Sequence, residues 1–187
     1  MHATADIDAD LAALRDALRP ALARLMPALH ADLKQLAAAQ RRRFASPPTL
    51  STTAVVHELY LKLVGSGSLR VESQRHFFAL AALAMRQILA DHARKRLNAR
   101  AAGLTTVIEA DAALPVAEAD LPTIVGVDTA LTRLAEVNPR LVEVVNCRFF
   151  GGYSEVETAE ILGVSDRTVR RDWDRARAWL AVALGSG

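Results

Sequence analysis

The chain has 187 residues, 51% of them apolar and 24% charged, and its net charge is +2. This is the composition of a folded globular protein of one or two domains, and it excludes a disordered chain. The single cysteine, Cys147, excludes an internal disulfide and favours a reducing cytoplasm, the location we expect. No apolar run reaches the length of a membrane span, so we expect no membrane partner.

Apolar residues recur with helical periodicity along most of the chain, while glycine, proline and β-branched clusters are sparse. This pattern predicts an all-α fold. In the first helix Leu11, Leu14 and Leu18 share one face. The predicted helices lie near 7–19, 21–43, 53–64, 74–99, 125–137, 139–150, 154–162 and 166–183.

Charge is distributed in blocks. Residues 86–100 are basic, residues 101–132 carry five acidic side chains without Lys or Arg, and the last helix is rich in arginine. The blocks indicate two separate contacts with anionic partners, although solvated helix faces would also explain them. Because 101–123 also contains two prolines and lacks a clear period, we interpret it as an acidic, extended linker. It would join domains at about 1–100 and 124–184.

Four hydroxyl side chains surround the start of the helix predicted at 53–64: Thr49, Ser51, Thr52 and Thr53. A hydroxyl at this place ordinarily caps the helix by accepting from an unpaired N–H of the first turn. One cap needs one hydroxyl, so the other three are in surplus.

The segment 153–180 has the strongest local pattern. Ser154 is expected to cap a short helix, Gly163 to supply the left-handed residue of a tight turn, and Ser165 to cap the next helix. Two helices joined by such a turn form a helix-turn-helix. The residues of the short helix expected to face inward are Val156, Ala159, Ile161 and Leu162.

The second helix of this pair carries an apolar stripe and an arginine-rich face. The stripe is Val169, Trp173, Ala176 and Leu180, so Trp173 is assigned to the core. An exposed arginine-rich helix start is typical of a major-groove reader, since Arg can bond guanine O6 and N7 together. The alternative is a helical hairpin with paired surface charges. The residues on the outer face are Arg167, Arg170, Arg171, Asp174 and Arg175, where Asp174 accepts from cytosine or orients an arginine.

Three stretches together resemble the bacterial RNA polymerase sigma factors of the extracytoplasmic-function (ECF) type. They are AVVHELYLKLV (54–64), RHFFALAALAMRQILADHARKR (75–96) and ALTRLAEVNPRLVEVVNCRFFGGYS (130–154), which leads into the helix-turn-helix. Their order and spacing carry the resemblance, which covers most of the chain beyond residue 20. The resemblance implies a protein that binds core RNA polymerase, recognises the −35 and −10 elements of promoter DNA and starts transcription.

The resemblance also implies roles for individual residues. The helix 53–64 would dock on the polymerase clamp through His57, Glu58, Leu61 and Lys62. The acidic linker would thread the nucleic-acid channel of the polymerase. Residues implied at the −10 element, where a flipped base is captured and phosphate is gripped, are Ser66, Ser68, Arg70, Arg75, His76, Arg94, Lys95 and Arg96. Phe77 is assigned to the core. Residues implied at the −35 element are Arg167, Thr168, Arg170, Arg171, Asp174 and Arg175.

The chain departs from the family pattern just before the clamp-docking helix. With His57-Glu58 placed on the Gln-Glu of the family, Ser51 and Thr53 stand where relatives have acids, and Ala54 replaces a further Asp. Phosphorylation would restore about −1.5 to −2 of charge at a helix N-terminus. Some ECF subgroups lacking these acids are activated by a Ser/Thr protein kinase, and the resemblance implies the same here. The candidates, in order, are Thr53, Thr52, Ser51 and Thr49.

Other functions are less consistent with the sequence. His57-Glu58 begins like the zinc motif H-E-x-x-H, but Leu61 takes the place of the second histidine. Neither a phosphate-binding glycine loop nor a nucleophile elbow occurs, so we expect no enzyme, catalytic residue, metal or cofactor. The alternatives are a stand-alone helix-turn-helix regulator and a helical decoy that binds polymerase without melting DNA. The hydroxyls could be caps only, and an anti-sigma factor stays open as a further partner.

Overall fold

The computed structural model describes residues 3–43, 50–103 and 120–185. Within these ranges all regular elements are helices, which confirms the predicted all-α fold. The helices are α1 (Ala3–Ala13), α2 (Leu18–Ala28), α3 (His30–Arg43), α4 (Thr52–Gly65), α5 (Gln74–Ala101), α6 (Asp120–Val137), α7 (Pro139–Val145), α8 (Glu155–Leu162) and α9 (Asp166–Gly185). A π-helical turn at Asn146–Phe150 continues α7.

The first three helices are divided differently from the prediction, which placed a break at Pro20. Pro20 instead lies in the first turn of α2, where its missing N–H is not needed. The break comes after Pro27, at Leu29, whose N–H bonds the Leu25 carbonyl at 2.9 Å. Leu14, predicted in the same helix as Leu11, lies in the connection between α1 and α2 and is fully buried.

The long helix α5 lies at the centre of the molecule. It packs against α1, α3 and α4 of the N-terminal half and against α6 and the π-helical turn of the C-terminal half. Its inward face is apolar, and Phe77 is only 1% exposed, which confirms the assignment of Phe77 to the core. This helix therefore touches both predicted halves of the chain.

The C-terminal helices complete the same core. Helix α9 packs against α6, α7 and α8, and one cluster of buried apolar side chains includes Leu59 and Met85 together with Leu131, Phe150 and Ala176. The predicted division into two domains stays a prediction, but in this structure their apolar interiors are continuous.

The interpretation of 101–123 as extended chain is wrong at both ends. Helix α5 reaches Ala101, and α6 already begins at Asp120. Pro122 is compatible with this helix because it lies in the first turn. Residues 104–119, the bulk of the predicted linker, lie outside the described residues. Among the helices that are described, none is long and apolar enough to cross a membrane.

Candidate functional site

The hydroxyls at the start of α4 differ in their surroundings. Ser51 Oγ accepts from the N–H of Ala54 at 3.1 Å and therefore caps the helix. Thr52 is half-buried, and its Oγ1 accepts from Nη1 of Arg41 at 3.2 Å. Thr53 is exposed, and its hydroxyl has no hydrogen-bond partner in the part of the chain that the structure describes. Thr49 lies outside the described residues.

Thr53 begins an exposed ridge along α4. With His57 and Leu61 it is spaced at i, i+4 and i+8, which aligns the three side chains along one face of the helix. All three are exposed, and Leu61 is 54% exposed although it is large and apolar. Lys62 is exposed beside this ridge. We call Thr53, His57 and Leu61 the α4 ridge.

Glu58, also predicted to dock on polymerase, has an internal partner. Its Oε1 lies 2.7 Å from Nε2 of His92 in α5, and both side chains are half-buried. The contact joins α4 to α5. Of the four predicted docking residues, His57, Leu61 and Lys62 thus share an exposed surface, and Glu58 lies at its edge.

The segment between α4 and α5 carries several of the residues predicted at the −10 element. Ser66 Oγ donates to the carbonyl of Leu63 at 2.7 Å and so helps to end α4. His76 Nδ1 accepts from the Glu72 N–H at 3.3 Å, which holds this imidazole against the segment. Two further predicted residues, Ser68 and Arg70, are exposed.

Two of the predicted −10 arginines contact the C-terminal helices. Arg75 forms an ion pair with Glu160 of α8, and its carbonyl accepts from the Tyr153 hydroxyl at 3.0 Å. Burial raises the pKa of Tyr153 to about 12, so the phenol remains a donor at neutral pH. Arg94 donates to Asp128 of α6 at 2.6 Å. Its neighbour Lys95 is exposed and Arg96 is half-buried.

Arg86 was not singled out as a functional residue by the sequence, yet it lies at the junction of α5 and α6. It is 4% exposed and forms an ion pair with Asp128, which is 6% exposed. Desolvation lowers the pKa of Arg86, an effect that the Asp128 charge opposes. The hydrogen bond to Asp128 is the main cause of a raised pKa at Arg94. The sequence did contain a signal for this pair, because Arg86 and Asp128 each place a charge on the apolar face of a helix, and the two charges are opposite.

The turn between α8 and α9 has the predicted local geometry. Ser154 and Glu157 form a reciprocal capping box, and Gly163 has a left-handed φ of 63°. Ser165 Oγ accepts from the Thr168 N–H at 3.2 Å and caps α9. The expectation for Val156 is wrong, since this side chain is 59% exposed. Thr158 and Ala159 form the buried face of α8, and Val156 lies on the exposed face.

Helix α9 presents most of the predicted −35 residues to solvent. Val169 and Ala176 are fully buried, whereas Trp173 is only half-buried, beneath the guanidinium of Arg148 at 5.0 Å. Thr168 is half-buried, and its hydroxyl bonds that of Ser165 at 2.9 Å. The exposed residues are Arg167, Arg170, Arg171, Asp174 and Arg175.

Two carboxylates that sequence reasoning missed organise this helix pair. Glu155 accepts from Arg148 at 2.8 Å and from Nε and Nη2 of Arg170 at 3.1 and 3.0 Å. The hydrogen bond from Arg170 is the main cause of a lowered pKa at Glu155, and the bond from Arg148 acts in the same direction. Both favour the ionised carboxylate. Asp172, fully buried in α9, accepts from Arg140 of α7 at 2.7 Å. The partners of these carboxylates lie 7, 15 and 32 residues away in the sequence, beyond a single helical turn.

An exposed, arginine-rich helix on an all-helical protein is typical of DNA-binding proteins. Residues 5–186 match the family model described as ECF sigma factor. Because this match spans nearly the whole chain, the protein belongs to the ECF sigma factor family. Members of this family bind core RNA polymerase and promoter DNA in transcription initiation, and the family is not a class of enzymes. No match is found among curated proteins.

Proposed function

We propose that this sigma factor recognises the −10 element through residues of α5 and of the segment before it, and the −35 element through α9. Within the second region, α8 and α9 would act as a helix-turn-helix. The support is the solvent exposure of Arg167, Arg171 and Arg175 on α9 and of Arg70 and Lys95 in the N-terminal half. Arginine forks can read guanine, and basic side chains anchor phosphate.

We further propose that a Ser/Thr protein kinase activates the protein at the start of α4. The observation that carries this proposal is the α4 ridge, which offers polymerase an exposed apolar side chain and a free hydroxyl but no carboxylate. Charge-assisted hydrogen bonds are about twice as strong as neutral ones. The acids that relatives carry before this helix imply a basic clamp surface, and a ridge without negative charge is expected to dock on such a surface weakly.

Thr53 remains the first candidate for the phosphate. Its hydroxyl is exposed and without a partner among the described residues, and it lies on the same face as His57 and Leu61. A phosphate on Thr52 would meet Arg41 and lose part of its charge to that guanidinium. Ser51 already uses its oxygen as the cap. A phosphate on Thr53 is thus the one that adds charge to the docking surface.

The test compares unmodified and kinase-treated protein for affinity to core polymerase and for promoter-specific initiation. One desolvated charge-assisted bond contributes about 1.5–3 kcal/mol, so phosphorylation should tighten binding by at least about tenfold. Thr53→Ala should lose this gain, and Thr52→Ala, its matched neighbour, should keep it. Full activity in cells of the protein with both threonines changed to Ala would exclude the kinase switch.

Reconstitution also separates the remaining functions. A sigma factor directs specific initiation with core polymerase alone, a stand-alone regulator needs another sigma factor, and a decoy only inhibits. An anti-sigma factor is a second possible means of control, and nothing in the described residues identifies its surface.

A further inference from the structure

A cleft of about 440 Å³ lies between α3, the start of α5 and the segment that follows the π-helical turn. This volume is within the range of small-molecule binding sites. None of its lining residues is among those proposed to contact polymerase or DNA, so the proposed function leaves the cleft without a role. We call it the α3 cleft, and its polar and aromatic lining includes Asp32, Gln35, Arg42, Arg43, Phe78 and Tyr153.

One wall of the α3 cleft is a face of α3 that carries opposite charges at its two ends. Asp32, Leu36, Ala39 and Arg43 are spaced at i, i+4, i+7 and i+11, which places them along one side of the helix, and all four line the cleft. Eleven residues of α-helix separate Asp32 from Arg43 by about 16 Å along the axis. The wall therefore has a carboxylate at one end, a guanidinium at the other and apolar side chains between them.

The basic end of the cleft has free hydrogen-bond donors. Arg42 and Arg43 are exposed, and within the described residues neither has a carboxylate partner. The guanidinium of Arg43 lies over the ring of Phe149 at 5.2 Å, and a Cβ at Gly152 would be 3.9 Å from its Nη2. The N–H of Gly152 also has no hydrogen-bond partner in the described part of the chain. Two guanidinium groups beside a free backbone N–H can bind phosphate.

Aromatic side chains line the cleft from the other two elements. Phe78 of α5 and Tyr153 are half-buried, and both contribute to the cleft surface. The Tyr153 hydroxyl donates to the carbonyl of Arg75 at 3.0 Å, which fixes the position of the ring. Nucleobases stack on aromatic side chains because both are flat and apolar on their faces. A planar heteroaromatic ring is thus well suited to this lining.

The acidic end of the cleft can distinguish one base from another. Asp32 is exposed and has no ion-pair partner among the described residues, and Gln35 lines the cleft one turn further along α3. A carboxylate accepts two hydrogen bonds side by side. The Watson–Crick edge of guanine offers two neighbouring donors, N1–H and the 2-amino group, whereas adenine offers only its 6-amino group. The carboxylate of Asp32 therefore favours guanine.

We propose that the α3 cleft binds a guanine nucleotide with two or three phosphates. The phosphates contact Arg42, Arg43 and the N–H of Gly152, and the base contacts the aromatic lining and Asp32. An extended nucleotide can contact both ends of the cleft, which a free phosphate cannot. Guanidinium groups here take the place of the phosphate-binding glycine loop that the sequence lacks. The proposal goes beyond the proposed function, because it requires neither DNA nor polymerase.

The first test is isothermal titration calorimetry of the full chain with GTP, ATP and inorganic triphosphate. GTP should bind saturably at one site per chain. It should bind at least about tenfold more tightly than ATP, because of Asp32, and at least about tenfold more tightly than triphosphate, because the base stacks. Since a ligand of the folded state stabilises it by mass action, GTP should also raise the melting temperature.

Variants separate the phosphate contacts from the base contact. Arg43→Gln should weaken GTP and ATP alike by at least about tenfold, because each loses a charge-assisted bond. Asp32→Asn should weaken GTP by about tenfold and leave ATP unchanged, because Asn places an amino group against one of the guanine donors. The matched controls are Lys34→Gln on α3 and Asp8→Asn on α1, exposed residues outside the cleft, and both should bind like the wild type.

Circular dichroism checks that each variant is folded. If Arg43→Gln unfolds because its contact with Phe149 is lost, Arg42→Gln makes the same comparison. Failure of GTP to bind below about 1 mM, or equal affinities for GTP and triphosphate, would overturn the proposal. Equal losses in Lys34→Gln and Arg43→Gln would also overturn it, since binding would then follow net charge. Displacement of GTP by an equal concentration of single-stranded DNA would show that the cleft takes a nucleic acid and not a free nucleotide.

Discussion

Arginine side chains on the outer surface of this protein differ in whether a carboxylate holds them. Arg170 is held in a fixed direction by Glu155, which also binds Arg148 above the ring of Trp173. A guanidinium that is already oriented loses less conformational entropy when it binds a base than a mobile guanidinium does. We therefore expect Arg170 to contribute to sequence preference and the unpaired arginines of α9 to contribute mainly to affinity.

The substitution Glu155→Gln tests this expectation. It keeps the shape of the side chain but weakens its hold on Arg170, so discrimination between the −35 element and scrambled DNA should fall by about tenfold. Binding to scrambled DNA should change little. Glu136→Gln, at an exposed position of α6 away from the proposed −35 residues and with the same change in charge, is the control. An unchanged ratio of specific to non-specific affinity would contradict the role of Glu155.

At the scale of elements, the angle between α8 and α9 depends on one left-handed residue. Gly163 has a φ of 63°, and the N–H of Val164 bonds the carbonyl of Ala159 at 3.1 Å across this turn. A side chain at such a position clashes with its own backbone. The capping box of Ser154 and the cap from Ser165 begin the two helices on either side.

The substitution Gly163→Ala should lower the free energy of unfolding by about 1 kcal/mol, because alanine is strained at positive φ. Denaturation by urea, followed by circular dichroism, measures the change. The control is Gly65→Ala, at a helical position with open space, which should be neutral or slightly stabilising. Equal effects of the two substitutions would show that the turn does not require glycine.

For the whole molecule, polar contacts between helices add to the packing of the apolar core. Gln40 is fully buried on α3, and its Nε2 donates to carbonyls of α5 and the π-helical turn. The structure therefore ties an N-terminal helix to the C-terminal half through one amide. Loss of that amide leaves a cavity and removes hydrogen bonds at the same place.

We expect Gln40→Ala to lower the free energy of unfolding by about 2–3 kcal/mol. Gln35→Ala, an exposed position on the same helix, should change it by less than about 0.5 kcal/mol. Urea denaturation of both variants gives the comparison. A change at Gln40 as small as that at Gln35 would mean that the buried amide does not hold the helices together.

The sequence alone determined the helical class, the caps and the turn at Gly163, because these depend on residues within four or five positions of each other. It also identified the apolar face of α5, including Phe77, from its periodicity. The helix boundaries that it predicted at Pro20 and Pro122 were wrong. A proline in the first turn of a helix cannot be told from a proline outside a helix by its sequence neighbours alone.

Only the tertiary structure decided which charges meet. Arg86 and Asp128 are 42 residues apart, Glu58 and His92 are 34 apart, and Arg75 and Glu160 are 85 apart. Local periodicity places each of these residues on a helix face but does not say which helix packs against that face. The pairing depends on how the helices pack, and that packing ties Arg75 and Arg94, both predicted to bind DNA, to carboxylates within the protein.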